Sequence, residues 1–117
     1  MKIELVQGDT SSVYKFQRKD NTGKIITTIP QKMWITFKET CNCEDALFQK
    51  TLGNGITYNE ADNYYRFQLS SEDTCDMAYG VYGFDIAIIN ELGEKKTLLH
   101  NGTLEIFKHY TKKCNEV

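Results

Sequence analysis

In 117 residues the sequence holds one proline, one tryptophan and two histidines, and it has no long apolar run. Each scarcity excludes something. With a single proline, Pro30, no polyproline segment or proline-rich linker can form. His100 and His109 stand alone, and no serine sits in a nucleophile-elbow setting, so a catalytic triad has no parts to draw on. A glycine-rich phosphate loop is also missing. The longest apolar stretch, Ile86 to Ile89, is far below the ~20 residues with which a helix crosses a bilayer. Charge of one sign is not in excess. Fourteen Lys and Arg face sixteen Asp and Glu, a net charge of −2, without the basic footprint of a nucleic-acid binder. Lys108, His109, Lys112 and Lys113 make only a short basic cluster. The opening Met1-Lys2-Ile3-Glu4 lacks a basic segment followed by an apolar one, so a secretory leader is not expected and a cytoplasmic setting is. There the four cysteines, Cys41, Cys43, Cys75 and Cys114, are expected as reduced thiols.

The sequence does have the apolar and charged content of an ordinary globular domain, 40% and 26%. That is too apolar for a disordered chain, and the length suits one domain over 1–117. Its apolar residues recur mostly with period two, the signature of strands with one wet face. Strands are expected at 3–6, 12–19, 32–38, 47–51, 56–58, 64–69, 81–90, 95–100 and 103–108, with a short edge element at 25–29 that Pro30 ends. In the second, Tyr14 and Phe16 share a face opposite Lys15, Gln17 and Lys19. In the third, Met33, Ile35 and Phe37 oppose Lys32, Trp34, Thr36 and Lys38. Tyr65, Phe67 and Leu69, and later Tyr82, Phe84, Ile86 and Ile88, are the other expected core rows. Turns are expected at Gln7-Gly8-Asp9, Asp20 to Gly23, Asn54-Gly55, Glu60 to Asn63 and Glu91 to Glu94, and a bend or bulge at Asn101-Gly102. Ser70, with Asp73 three residues on, caps the one expected helical turn. The expected fold class is therefore all-β: an immunoglobulin-like antiparallel β-sandwich of eight or nine short strands, in which single apolar faces bury one another.

Candidate chemistry is sparse. Cys41-Asn42-Cys43 has one residue between its thiols, whereas structural zinc sites space paired ligands by two to four and need two pairs. Cys75 reads as a small buried hydrophobe and Cys41 and Cys43 as loop thiols, and a zinc site formed by converging loops is the weaker alternative. Glu72, Asp73 and Asp76 lack the alternating oxygen ligands and central glycine of a calcium loop, and read as a solvated connection opening a helical turn. Asn101-Gly102-Thr103 matches a glycosylation acceptor but reads as a turn. Asp85 is a charge inside the strongest strand, expected to face solvent or to accept hydrogen bonds from a loop. No catalytic residue, cofactor or metal is expected, and neither is an enzyme. Trp34 and Tyr64 lie on faces opposite the expected core, and Tyr79 and Phe107 fall off the core pattern. Exposed aromatics of this kind supply much of the energy of protein interfaces, so these four are the expected interface residues.

Three stretches carry a resemblance. They are Val6-Gln7-Gly8-Asp9-Thr10 with Tyr14-Lys15-Phe16 and Asp20 to Gly23; Trp34-Ile35-Thr36-Phe37-Lys38 with Phe48 to Thr51 and Gly55-Ile56; and Asp73-Thr74, Tyr79 to Ile86, Leu98 and Gly102 to Ile106. In this order they resemble the immunoglobulin-like β-sandwich domains of tailed-phage and prophage structural proteins, most of all the N-terminal domain of baseplate upper proteins. The resemblance covers about residues 3 to 108 and implies a non-enzymatic phage or prophage assembly module of the baseplate or tail type. Its expected partners are other phage structural proteins or a second copy of itself, with no nucleic acid and no membrane span. It would be made in the bacterial cytoplasm and end in the virion. The sequence departs from the family in having no heptad stalk after the domain, and in its Cys41-Asn42-Cys43 loop. The alternative is a carbohydrate- or cell-surface-binding sandwich that uses the same aromatics as stacking platforms.

Overall fold

Period-two alternation sets the elements of the chain. A computed structural model describes residues 1–39 and 46–108. Its strands are β1 (Lys2–Val6), β2 (Tyr14–Phe16), β3 (Lys32–Lys38), β4 (Ala46–Leu52), β5 (Gly55–Asn59), β6 (Tyr64–Phe67), β7 (Gly80–Ile89) and β8 (Lys95–Phe107), with one helical turn, α1 (Ser71–Thr74), between β6 and β7. On β3, Met33, Ile35 and Phe37 are fully buried while Lys32 is exposed. Each such side chain contributes ~1.5–3 kcal/mol by leaving water. Tyr65, Phe67 and Leu69, and then Phe84, Ile86 and Ile88, are buried as their spacing predicts. Tyr82 is half-buried at the margin of the core. Ser70 caps α1 in a full capping box with Asp73.

All eight strands belong to one hydrogen-bonded sheet in the order β1-β8-β7-β3-β4-β5-β6-β2. The sheet curls into a half-barrel. Ile56, Tyr65 and Phe67 from one end join Ile35, Phe37, Phe84 and Leu104 from the other in a single buried cluster. Neither end could bury its apolar face alone, so the curl is what closes the core. The segment after β1 ties the ends together. Gly8, at φ +81°, turns the chain out of β1, and its amide donates to Thr74 Oγ1 at 3.2 Å. Gln7 Nε2 donates to the carbonyl of Met77 at 2.6 Å. Ser11 then pairs with Leu69 through both backbone and side chain.

Several expectations are corrected. The pairing is mixed rather than antiparallel. β1 runs parallel to β8, and β4 meets β5 in a short parallel pairing of Thr51 with Gly55 and Leu52 with Ile56. Alternation specifies which face is buried but not the direction of the neighbour. The strand expected at 12–19 is only Tyr14–Phe16, and 25–29 holds a single bridge, Lys19 to Ile25, in place of an edge element. The segments at 95–100 and 103–108 are one continuous strand, β8, whose register against β7 shifts twice, on either side of Ile86. Its register steps from Phe84↔Gly102 to Ile86↔Leu99, so His100 and Asn101 together oppose Asp85. A Cβ on Gly102 would lie 2.7–2.9 Å from the ring of Phe84, and that ring occupies the space left by the missing side chain.

Candidate functional site

The outer face of β3, β4 and β7 is a grid fixed by register. Its middle row is Gln49, Thr36 and Asp85; one flanking row is Thr51, Trp34 and Ala87, and the other is Ala46, Lys38 and Gly83. Small residues at Ala46, Ala87 and Gly83 stand among long ones, so the face is dished. The result is an open depression of about 240 Å³ lined by Trp34, Thr36, Lys38, Ala46, Gln49, Asp85, Ala87 and Lys95. Trp34 is half-buried, and its register partner on β7 is the small Ala87. Gln49 Nε2 donates to Thr36 Oγ1 at 3.0 Å, which fixes the carboxamide. Asp85, half-buried, makes no hydrogen bond or ion pair among the described residues, and neither do Lys38 and Lys95. Two lysines, an aspartate, a glutamine and the tryptophan therefore line one depression, and its three charged groups make no hydrogen bond or ion pair among the described residues.

The four expected interface residues do not form one surface. Trp34 belongs to the depression. Phe107 is 39% exposed on the same outer face, beside Val6, its register partner on β1. Val81, 62% exposed, sits across from Glu105 on that face, and Tyr79, 58% exposed, precedes β7 at the same end. Along β7 this apolar end lies six residues, or ~20 Å, from the row of Trp34. Tyr64 is on β6, in the other end of the sheet. Its ring is overlaid by Lys15 Nζ at 4.7 Å and flanked by the Arg66 guanidinium at 6.0 Å, and Arg66 is ion-paired with Asp62. With a cation on its face, Tyr64 is not an open stacking platform.

Other candidates resolve into structural roles. Asp73 accepts from the Ser70 amide and pairs with Lys50 Nζ at 2.8 Å, so that acidic residue fastens α1 to β4. Cys75 is disulfide-bonded, which corrects the expectation of a reduced, inert thiol. Cys41, Cys43, Cys114 and His109 lie outside the described residues. Among the described residues no three His, Cys, Asp or Glu side chains converge on a metal position.

Arg18 is the residue that sequence reasoning missed. It is 5% exposed, and its Nη1 donates to Glu91 Oε1 at 2.8 Å and to the carbonyl of Thr28 at 3.0 Å. Desolvation works against the guanidinium's charge, but the hydrogen bond to Glu91 and the neighbouring Tyr65 phenol outweigh it and hold Arg18 above its usual pKa; among the described residues the buried Arg18 Nε and Tyr65 hydroxyl have no hydrogen-bond partner. Arg18 in turn holds the Glu91 carboxyl below the usual carboxylate range, while burial pushes the Tyr65 phenol up. The pair clamps the segment after β2 to the β7–β8 turn. Its signal was available, because Tyr14, Phe16 and Arg18 share one period-two face.

No family model matches the sequence, and no curated protein does. Among solved structures the chain is similar to one from Bacteroides vulgatus ATCC 8482 named "putative glycoside hydrolase", at TM-score 0.47 and 14% identity over 93% of this chain. The chain spans 17% of that one's length, and a likeness at this level carries neither fold nor activity across.

Proposed function

We propose that the chain is a non-enzymatic structural or assembly module of a phage or prophage particle, of the baseplate or tail type, acting by protein–protein contact. The observation that carries the reading is the exposed apolar end formed by Val6, Tyr79, Val81 and Phe107. Two exposed aromatics and two valines at one end of the sheet, with charged Glu105 across from Val81, match the apolar core and polar rim of a protein interface. The residues behind the family resemblance have matching roles: Gly8 turns the chain out of β1, Tyr14 and Phe16 pack on the core, and Phe84 and Ile86 fill it. The strand order also supports an immunoglobulin-like reading of the curled sheet. In that reading β1-β8-β7-β3-β4 is one layer, β5-β6-β2 is the other, and the two-residue parallel pairing of β4 with β5 is the fold-over between them. The partners would be other structural proteins of the particle or a second copy, with the chain passing from the bacterial cytoplasm into the virion.

The test is assembly of the Tyr79→Ala, Phe107→Ala double variant. Both side chains are exposed, so thermal stability should hold. Co-purification with the neighbouring particle proteins, or the oligomer mass by light scattering, should fall by tenfold or more in affinity, as for loss of aromatic interface anchors. Assembly at wild-type level would overturn the reading.

A further inference from the structure

Beyond the assembly reading, and independent of it, we propose that the depression on the outer face of β3, β4 and β7 binds a single pyranose ring carrying an anionic group. The size of the space comes first. At about 240 Å³ it is smaller than the ~300–1,000 Å³ that hold drug-sized ligands, and it is open on one side, so one ring with its substituents fits and a chain of several does not lie within it. Recognition of a pyranose needs an apolar platform for its C–H face and fixed polar groups for its hydroxyls. The Trp34 indole supplies the platform, with the small Ala87 opposite it in the register, and its electron-rich face attracts C–H groups. The row beside it supplies the polar groups. Asp85 has two carboxylate oxygens without a partner among the described residues, enough to accept from a pair of adjacent hydroxyls. Gln49, held by its bond to Thr36, keeps its carboxamide oxygen and one N–H for the ligand. The pre-set geometry of these groups, on strands rather than loops, limits the ordering cost of binding.

Charge selects the anionic sugar. The lining carries Lys38 and Lys95 against the single Asp85, and neither lysine is within ion-pair distance of that carboxylate or any other among the described residues. Two uncommitted ammonium groups at the rim leave a local positive excess although the whole chain is at −2. A carboxylate or phosphate on the ring would meet this excess while its hydroxyls meet Asp85. A peptide carboxylate would satisfy the lysines but leave Asp85 facing an anion, and an apolar ligand would bury Asp85 without a partner, at the full cost of desolvating it.

Trp34 is the sole tryptophan, so intrinsic fluorescence reports from the site itself. The intact chain would be titrated with glucuronic acid, glucose 6-phosphate, glucose and inorganic phosphate. A saturable change is expected with either or both of the acidic sugars, with Kd near about 1 mM as suits a shallow site. Binding should be tenfold or more weaker in the Lys38→Ala, Lys95→Ala variant, whose substitutions lie at the surface, and in Asp85→Asn, and unchanged in Tyr64→Ala. No saturable response to either acid overturns the proposal. So does a response equal to that of glucose or of phosphate alone, or binding that survives loss of both lysines.

Discussion

Gly102→Ala isolates a single packing contact that decides how β8 lies on β7. The new methyl group would stand 2.7, 2.8 and 2.9 Å from three carbons of the Phe84 ring, against the ~3.5–4.0 Å at which carbon atoms rest. The ring must retreat by roughly 0.8 Å or more, and it has nowhere free to go. Phe84 is 1% exposed and stacked on Phe37 at 5.1 Å, which is itself stacked on Phe48 at 4.5 Å. Displacement would pass down three rings in a close-packed interior. Overpacking of this kind costs ~1–3 kcal/mol, and the length of the stack places this case in the upper half. Alanine for glycine in a strand would otherwise gain ~0.5–1 kcal/mol, so the sign of the result is itself informative. The expected loss of about 2 kcal/mol lowers the melting temperature by roughly 8 °C for a domain of this size. Urea unfolding followed by Trp34 fluorescence measures it directly. The companion is Phe84→Leu, which removes the ring at its own cost. In that background Gly102→Ala should cost less than half as much, a coupling that only direct contact produces. A neutral or stabilising Gly102→Ala, or equal costs in the two backgrounds, would refute the contact as the reason for glycine.

Two further perturbations test the supports around the core. Arg18→Ala removes a buried guanidinium and its packing stem; because Glu91 is 36% exposed and can turn to water, the expected loss is about 1–3 kcal/mol by chemical denaturation, below the value for a fully buried pair. Glu91 has its carboxyl held down by Arg18, so the pair's stabilisation is complete above the ordinary carboxylate pKa and is lost as pH falls through the lowered one; the acid side of the pH–stability curve should flatten in Arg18→Met, and an unchanged acid limb counts against the pair. Ser70→Ala deletes the cap of α1 and should cost about 1 kcal/mol, read as a melting shift; loss of function in the anionic-sugar titration would be unexpected, since α1 lies away from the depression.

How much of this was legible in the sequence depends on what each signal encodes. Met33, Ile35 and Phe37 declare their face because alternation is a local property, and Ser70 with Asp73 declares a cap because both partners lie within one turn. The parallel partnership of β1 with β8 is different. It joins residues about a hundred apart, and nothing in Lys2–Val6 records which strand end will accept it. The same holds for the bulge at His100 and Asn101, where Asn-Gly read locally is a bend and only the Phe84 ring across the ladder shows why glycine is required. Of the interface candidates, exposure was readable for Tyr79 and Phe107, whereas the cation over the Tyr64 ring was not, because Lys15 lies on β2, four strands earlier in sequence order but adjacent to β6 in the sheet. The depression was legible as single residues and not as a site. Trp34 and Asp85 each stood out, one as an aromatic and the other as a charge on the wet side of a strand. Their meeting depends on the pairing Thr36↔Asp85 and Trp34↔Ala87, a register set by burial of the opposite face. The core-facing rows of Ile35 with Ile86 and Phe37 with Phe84 thus place the outward groups as a consequence. A slip of one residue that the core forbids would also take Asp85 off the row of Thr36 and Gln49.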